Sequence, residues 1–543
     1  MSFAGLLLAA TLLTPLLMVA ACVLPRFRAR VFDLLALAPL PGLATALLAP
    51  GGSLVLAPSP LRIVLALDFP GAMLLGGSAL LWTTAGFYAR SYMPEQAGRA
   101  GFSIWWLLTL AGSFGVFVVA DMTSFYLMFS LVSLAAYGLV VEEGSARAER
   151  AGFFYMVLAL LGEAFLLFGF VLMATAGPAG NPLISEAVAA LPASPWRDAT
   201  IVLLILGFGL KMGLVPLHVW MPLAHPVAPM PASAALSGIV VKAGVIGLIR
   251  FLPFGQPLAE WGTVLIALGL FTAYYAVAVG ITQQHPKTVL AYSTVSQMGF
   301  VAGVIGAGLA IGDAGAPLLA AYYALHHMLV KGALFLGVGV AAATGTGRQR
   351  LVMIVMGVMA LSLAGLPFTS GALAKFAAKG PLGDGLAGTL ATLSAVGSAL
   401  LMLHFLRLLA GASKAAPDAT APIGLRLPWL ATALASILVG WALFAPATGY
   451  APSLPLAPDK LWAALWPILA GGALAAALIR WGARLPQIPE GDVVVLAERC
   501  APAVLAIGSG AEALDRALRQ WPVAGIALLA IVLAFAGALG VSR

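Results

Sequence analysis

The sequence predicts an all-α polytopic membrane protein with about 14–16 transmembrane helices. Three observations lead there. Of 543 residues, 62% are hydrophobic and only 9% are charged, whereas a soluble domain carries about 25% charged residues. The mean hydropathy is +1.03. Apolar windows recur along the whole length, and the Lys and Arg between them fall mainly on alternate sides. The net charge of +8 therefore reports topology and not a nucleic-acid partner.

Each apolar window is long enough to cross a bilayer, since ~20 apolar residues span ~30 Å of hydrocarbon. About sixteen are expected, near 4–24, 31–49, 68–88, 103–120, 123–141, 151–176, 200–222, 231–252, 258–281, 287–309, 316–342, 350–378, 387–411, 427–447, 460–481 and 521–541. The first lacks a basic leading region and is followed at once by further windows, so it reads as a retained helix. Pro216 and Pro222 break the helix beginning near 200, because proline removes a backbone donor and clashes with the preceding turn. GLPFTSG (365–371) interrupts a second helix in the same way. Broken helices inside membranes line polar cavities and ion sites.

One set of loops holds eighteen basic residues, including Arg26, Arg147, Lys287 and Arg407, against six on the other side. That asymmetry places the first set in the cytoplasm and both termini outside, in a bacterial inner membrane. Residues 486–519 mix apolar positions with Glu498, Arg499, Glu512, Asp515, Arg516 and Arg519. They read as an amphipathic helix on the cytoplasmic face, with a solvated connector as the alternative. The two cysteines, Cys22 and Cys500, supply neither an iron–sulfur set nor a zinc set. No cofactor and no metal are expected.

The chain is organised around residues 207–250, GFGLKMGLVPLHVWMPLAHPVAPMPASAALSGIVVKAGVIGLIR. Lys211 and Lys242 stand near the middle of two hydrophobic segments, where an ammonium costs at least ~2.5 kcal/mol. Lys331 and Lys375 lie in later windows. Burial makes such an amine a reversible proton carrier near neutral pH; the alternative is a snorkelling or carbonyl-paired lysine. In YYALHHMLVKGALFL, Lys331 falls one helical turn after His327 on the same face, next to His326. His218 and His225 flank the first break, and Glu163 is the only mid-membrane carboxylate. Asp68 and Asp121, at span edges, read as helix caps or mouth residues. Lys379, His404 and Arg407 read as anchors, although His404 and Arg407 also suit an entry.

With its PLHVWMPLAHPVAP run, this stretch resembles the antiporter-like membrane subunits of respiratory complex I, Mrp-type cation/proton antiporters and membrane-bound hydrogenases. Within that superfamily it is most similar to the formate-hydrogenlyase type, and the membrane subunits of some inorganic-carbon uptake systems are also similar. The resemblance implies two inverted five-helix repeats with discontinuous helices, here 103–252 and 258–411, between N-terminal helices (1–102) and C-terminal helices (412–543). It implies an HxxxHxxxK motif, in which His327 and Lys331 match but Tyr323 takes the first position. Lys375 matches the lysine of the second broken helix. The family's glutamate on the fifth span is replaced by Ser130. Glu163, on the next span, is the expected substitute partner of Lys211, within a water-bridged distance of about 7 Å.

The function expected is proton translocation along Lys211, Lys242, His327, Lys331, Lys375 and Glu163, with His218, His326 and Tyr323 as further relay groups. No bond-making chemistry and no catalytic residues are expected in the chain itself, which works within a multisubunit complex. The partner is a redox enzyme of hydrogenase or dehydrogenase type, an Mrp-type antiporter, or a soluble zinc protein of carbon uptake. Na⁺/H⁺ antiport and a structural or quinone-binding anchor remain as alternatives.

Overall fold

The computed structural model describes residues 2–57, 62–93, 99–177, 180–413, 415–482, 485–495 and 498. The chain divides into two units, Met1–Glu490 and Gly491–Arg543. In the second, residues 493–495 form a helical turn. The expected window 521–541 and most of the 486–519 amphipathic segment lie outside the described residues.

Among the described residues, the regular structure of the first unit is helical apart from one hairpin. After α1 (Phe3–Val23), the expected window 31–49 is not one span but two short helices, α2 (Pro25–Leu34) and α3 (Leu40–Leu48). Pro39 and Pro41 explain the correction: neither has an amide proton to donate, so the chain turns over 35–39 and restarts. Strands β1 (Ser53–Ala57) and β2 (Ile63–Ala66) pair antiparallel in a segment between two apolar windows. Then come α4 (Phe69–Tyr92), α5 (Arg99–Val118), α6 (Met122–Val140), α7 (Ala146–Ala176) and the short α8 (Ile184–Ala190). Asp68 caps α4 by accepting from Gly71 N at 2.8 Å, and Asp121 caps α6 from Ser124 N at 2.8 Å. Asp68 also pairs with Arg250, whose guanidinium donates to the Val116, Phe117 and Val119 carbonyls.

The first broken helix consists of α9 (Arg197–Met212) and α10 (Trp220–Val227). Next, α11 (Met230–Ala235) and α12 (Lys242–Phe251) are joined through a wide π turn at Leu236–Val240. The long α13 (Ala259–Gly280), α14 (Pro286–Ile311) and α15 (Ala316–Ala342) follow. The second broken helix is α16 (Arg350–Ala364) and α17 (Ser370–Leu382). The unit closes with α18 (Leu386–Ala410), α19 (Ile423–Thr448) and α20 (Pro458–Trp481). Eleven helices among the described residues are long and apolar enough to span a bilayer; this is a multi-pass membrane protein.

Both breaks end on the same cap. Gly213 (φ +80°) and Gly365 (φ +101°) occupy the left-handed region that L side chains avoid. Gly213 N donates to Leu210 O and Leu214 N to Gly209 O; Gly365 N donates to Ser362 O and Leu366 N to Leu361 O. Each is the Schellman pattern, which satisfies carbonyls that a helix end deep in the protein leaves without partners.

The centre is made by the Met230–Phe251 rod and by α15, whose apolar windows are wholly buried, against 22% for α1 and α20. Lipid provides no hydrophobic drive between spanning helices, so small residues decide where backbones meet. Helices α13 and α14 cross at Gly269 and Gly299, where a Cβ on either would stand 2.5 Å from the other's carbonyl oxygen. That crossing fixes the α14 face that bears Ser293, Thr294 and Gln297.

Candidate functional site

Most of the expected relay side chains gather in three groups across the core. The first sits between α6, α7 and α9. Lys211, 4% exposed, falls two residues before the Gly213 cap, so its stem leaves the helix at the break. Its Nζ donates to Ser133 Oγ at 2.9 Å and to Tyr155 Oη at 3.4 Å. The Phe129 and Tyr155 rings each lie 5.7 Å from it. Ser130 Oγ donates to Glu163 Oε2 at 2.5 Å, so the carboxylate on α7 has reached the α6 position where the resemblance expects an acid. Glu163 and Lys211 do not form a direct ion pair. Ser133 lies one helical turn after Ser130 on α6, so the lysine and the carboxylate bond to neighbouring hydroxyls of the same helix. Glu163 Oε1 has no hydrogen-bond partner among the described residues.

The second group surrounds Lys242, at the end of the π turn. A π turn widens the helix by one residue and is a frequent mark of a functional position. Lys242 Nζ donates to Ser237 O at 3.2 Å, within that turn, and meets His327 Nδ1 at 2.6 Å. Ser237 Oγ and Thr294 Oγ1 are 2.7 Å apart. Lys331 Nζ donates to Leu290 O at 2.8 Å and to Ser293 Oγ. His327 and Lys331 follow the (i, i+4) spacing read from the sequence, and both are fully buried.

The third group lies beside the second break. His326 Nδ1 meets Ser370 Oγ at 2.9 Å. Tyr323 donates to Gln297 Oε1 at 2.5 Å, and Gln297 Nε2 donates to Ser398 Oγ at 2.9 Å. Lys375 is half-buried, with Nζ 5.6 Å from the Phe300 ring centre. A Cβ added at Gly365 would stand 2.9 Å from Lys375 Cδ, so the stem of this lysine lies on the second cap. Lys375 also lines a cavity of about 630 Å³, whose rim holds Lys379, Asp384, Asp459 and Lys460.

His218 does not stand with these lysines in any of the three groups; its ring packs 5.4 Å from Tyr275 and 6.1 Å from Tyr292. His404 Nε2 donates to Gln283 O, 2.8 Å away. Among the described residues no three His, Cys, Asp or Glu side chains gather as metal ligands do.

One basic residue is misplaced by the sequence reading. Lys287, counted with the loop cations, is 4% exposed at the second position of α14, and its Nζ donates to Ala228 O at 2.5 Å. The signal is weak because the helix begins at Pro286, right where a window of apolar residues begins to rise; the covering α10–α11 turn is remote in sequence. Ser133, Tyr155 and Gln297 are missed as well, since a hydroxyl or an amide in an apolar run has no period of its own.

The family model described as NADH:quinone oxidoreductase/Mrp antiporter, TM, matches residues 119–400. Hydrogenase-4 component B of Escherichia coli is 32% identical over 295 residues, which are 51% of this chain and 43% of that protein. A Na(+)/H(+) antiporter subunit of Bacillus subtilis is 28% identical over 365 residues, 64% of this chain and 73% of the relative. The chain spans about half the length of the first curated relatives it matches. Among solved structures, the Mrp complex from a Dietzia species aligns with a TM-score of 0.77 at 22% identity, over 100% of this chain and 63% of that one. At that identity the likeness establishes the fold.

Proposed function

This chain belongs to the NADH:quinone oxidoreductase/Mrp antiporter transmembrane family, and from that premise we propose that it moves protons across a bacterial inner membrane as one subunit of a larger complex. The observation that bears this reading is the Lys242–His327 contact of 2.6 Å between two side chains with no exposure. Among the described residues neither is paired with a carboxylate. Two bases sharing such a site hold one proton between them far more readily than two, because a second charge meets both repulsion and the cost of burial. A pair of that kind takes up and releases a proton without becoming an ion pair.

The relay then runs from Glu163 and Lys211, through Lys242, His327 and Lys331, to His326, Tyr323 and Lys375. Transfer between the three groups passes over water or through side-chain rotation, because no direct hydrogen bond joins them among the described residues. The repeats 103–252 and 258–411 are part of the same reading, supported by the matching caps at Gly213 and Gly365. With the buried Lys287 set aside, seventeen loop cations against six still favour termini on the outer side.

The partner is a redox enzyme on the reading favoured by the relative named hydrogenase-4 component B. A second reading, cation/proton antiport, is favoured by the Bacillus subtilis relative, itself named as part of a Na(+)/H(+) antiporter. The test is reconstitution of the chain, with whatever co-purifies, into vesicles containing a pH-sensitive dye. Under an imposed potassium diffusion potential, proton flux is expected above that of empty vesicles and is lost in Lys242→Met. Wild-type flux equal to empty vesicles rejects proton conduction by this chain; flux that requires opposed Na⁺ favours antiport.

A further inference from the structure

His225 and Lys287 are buried titratable groups that the relay above does not use. His225 has no exposure, and neither of its ring nitrogens has a hydrogen-bond partner among the described residues. An imidazole whose two ring nitrogens find no protein partner in a buried site costs a few kcal/mol unless something else bonds to them, so its retention calls for a reason. Its ring packs 5.9 Å from Trp220 and 5.5 Å from Phe335. Phe335 lies one turn after Lys331 on the same face of α15. Aromatic packing thus holds the ring beside the face of α15 that carries Lys331.

Lys287 approaches from the other direction. Ala228 O accepts both Lys287 Nζ, at 2.5 Å, and Ser233 Oγ, at 3.0 Å, and Ser233 Oγ also donates to His225 O at 2.9 Å. The α10–α11 turn therefore clasps the ammonium beside the histidine's own backbone. Beyond Lys287 the surface is polar. Glu143 is exposed and within reach of the Lys287 charge. Glu142 is half-buried beside it, and Arg147 pairs with Glu490 at 2.5 Å. Thr288 also donates to Glu490, and His285 stands immediately before α14. Burial holds the Glu142 carboxyl up at about 7, which suits a group that collects protons near neutrality.

We propose that Lys287 and His225 form an entry limb, carrying protons from the Glu142–Glu143 mouth to Lys331 and Lys242. In each passage an N–H bond breaks at Lys287 Nζ and forms at one ring nitrogen of His225, directly or over one water. The other ring nitrogen releases its proton inward, and tautomer exchange with the mouth resets the ring. No electron pair leaves the molecule and no co-reactant is needed. The limb rests on the proton-translocating reading above, and it opens on the side that the charge asymmetry assigns to the cytoplasm.

The test uses the same vesicles, containing the chain with its co-purifying subunits, and compares Lys287→Met, Lys287→Arg and His225→Gln with Lys242→Met. Co-purification of the partners reports folding, and Glu142→Gln with Glu143→Gln probes the mouth without touching the core. Loss of at least about tenfold in initial flux is expected for Lys287→Met and His225→Gln. Lys287→Arg is expected to be equally slow, because a guanidinium keeps the charge and the clasp but does not deprotonate. Wild-type flux in Lys287→Arg makes Lys287 a structural clasp and overturns the limb. Wild-type flux in all limb variants with loss in Lys242→Met overturns the limb alone. Retained flux in Lys242→Met removes the translocating reading on which the limb stands.

Discussion

Glu163 Oε2 accepts a 2.5 Å hydrogen bond from Ser130 Oγ, so a carboxylate rooted on α7 occupies the neighbourhood of a position on α6. Lys211 donates to Ser133 Oγ, one helical turn after Ser130 on the same helix. Helices α6 and α7 thus present Ser130 and Glu163 to one another, which is the contact that the proposed exchange of an acid between them requires.

An acid exchanged between the two helices should therefore restore function. Glu163→Ala is expected to lower proton flux by about tenfold or more. Adding Ser130→Glu to it is expected to recover most of that flux, while Ser130→Ala alone has a small effect. Vesicle flux assays of the three variants check this; no recovery in the double variant means that Glu163 acts from a position Ser130 does not share.

At Lys242 and His327 the expectation is strong non-additivity. Each of Lys242→Met and His327→Gln is expected to reduce flux to near the level of empty vesicles, and the double variant is expected to be no worse. Groups acting as one unit show this pattern. Multiplying losses would mean that the two side chains work on separate paths.

Gly365→Ala introduces strain of about 1–2 kcal/mol from the left-handed backbone alone. The new Cβ also meets the Lys375 stem at 2.9 Å. A lower transition temperature is expected in thermal scans in detergent at fixed scan rate, together with a flux defect that Gly357→Ala does not share. A Cβ at Gly357, within α16, has open space around it.

The Glu142 carboxyl, raised by burial from about 4.5 to about 7, implies a defined pH response. The folded protein binds a proton there that the unfolded chain has already lost, so stability falls as pH rises from about 4.5 to about 7 and is level above that. Glu142→Gln is expected to flatten this part of the profile. Thermal scans of both proteins at pH 5 and pH 7.5 measure it; parallel profiles would assign the slope to other groups.

Much of the fold was legible because membrane insertion imposes a coarse rule that residue type alone satisfies. A bilayer demands long apolar segments with internally satisfied backbones, and the windows along this chain meet that demand. Exceptions arose where proline spacing overrode apolarity, as at Pro39 and Pro41, and where the segment around 53–66 paired as a hairpin across a connecting loop. The lysines stood out for the same reason: an ammonium in an apolar run is conspicuous without any structure. Hydroxyls and amides such as Ser133 and Gln297 are cheap to place in helices and gave no comparable signal.

By itself, then, the sequence determined the membrane class, the two breaks and the four lysines placed against an energetic penalty, since each follows from local composition and hydration cost. Tertiary structure decided which groups share a site. The reach of Glu163 to Ser130, the meeting of Lys242 with His327 and the burial of Lys287 under the α10–α11 turn all join residues dozens of positions apart. Such pairings are set by how helices cross and by where small residues such as Gly269 and Gly299 let backbones touch, and no local rule encodes that.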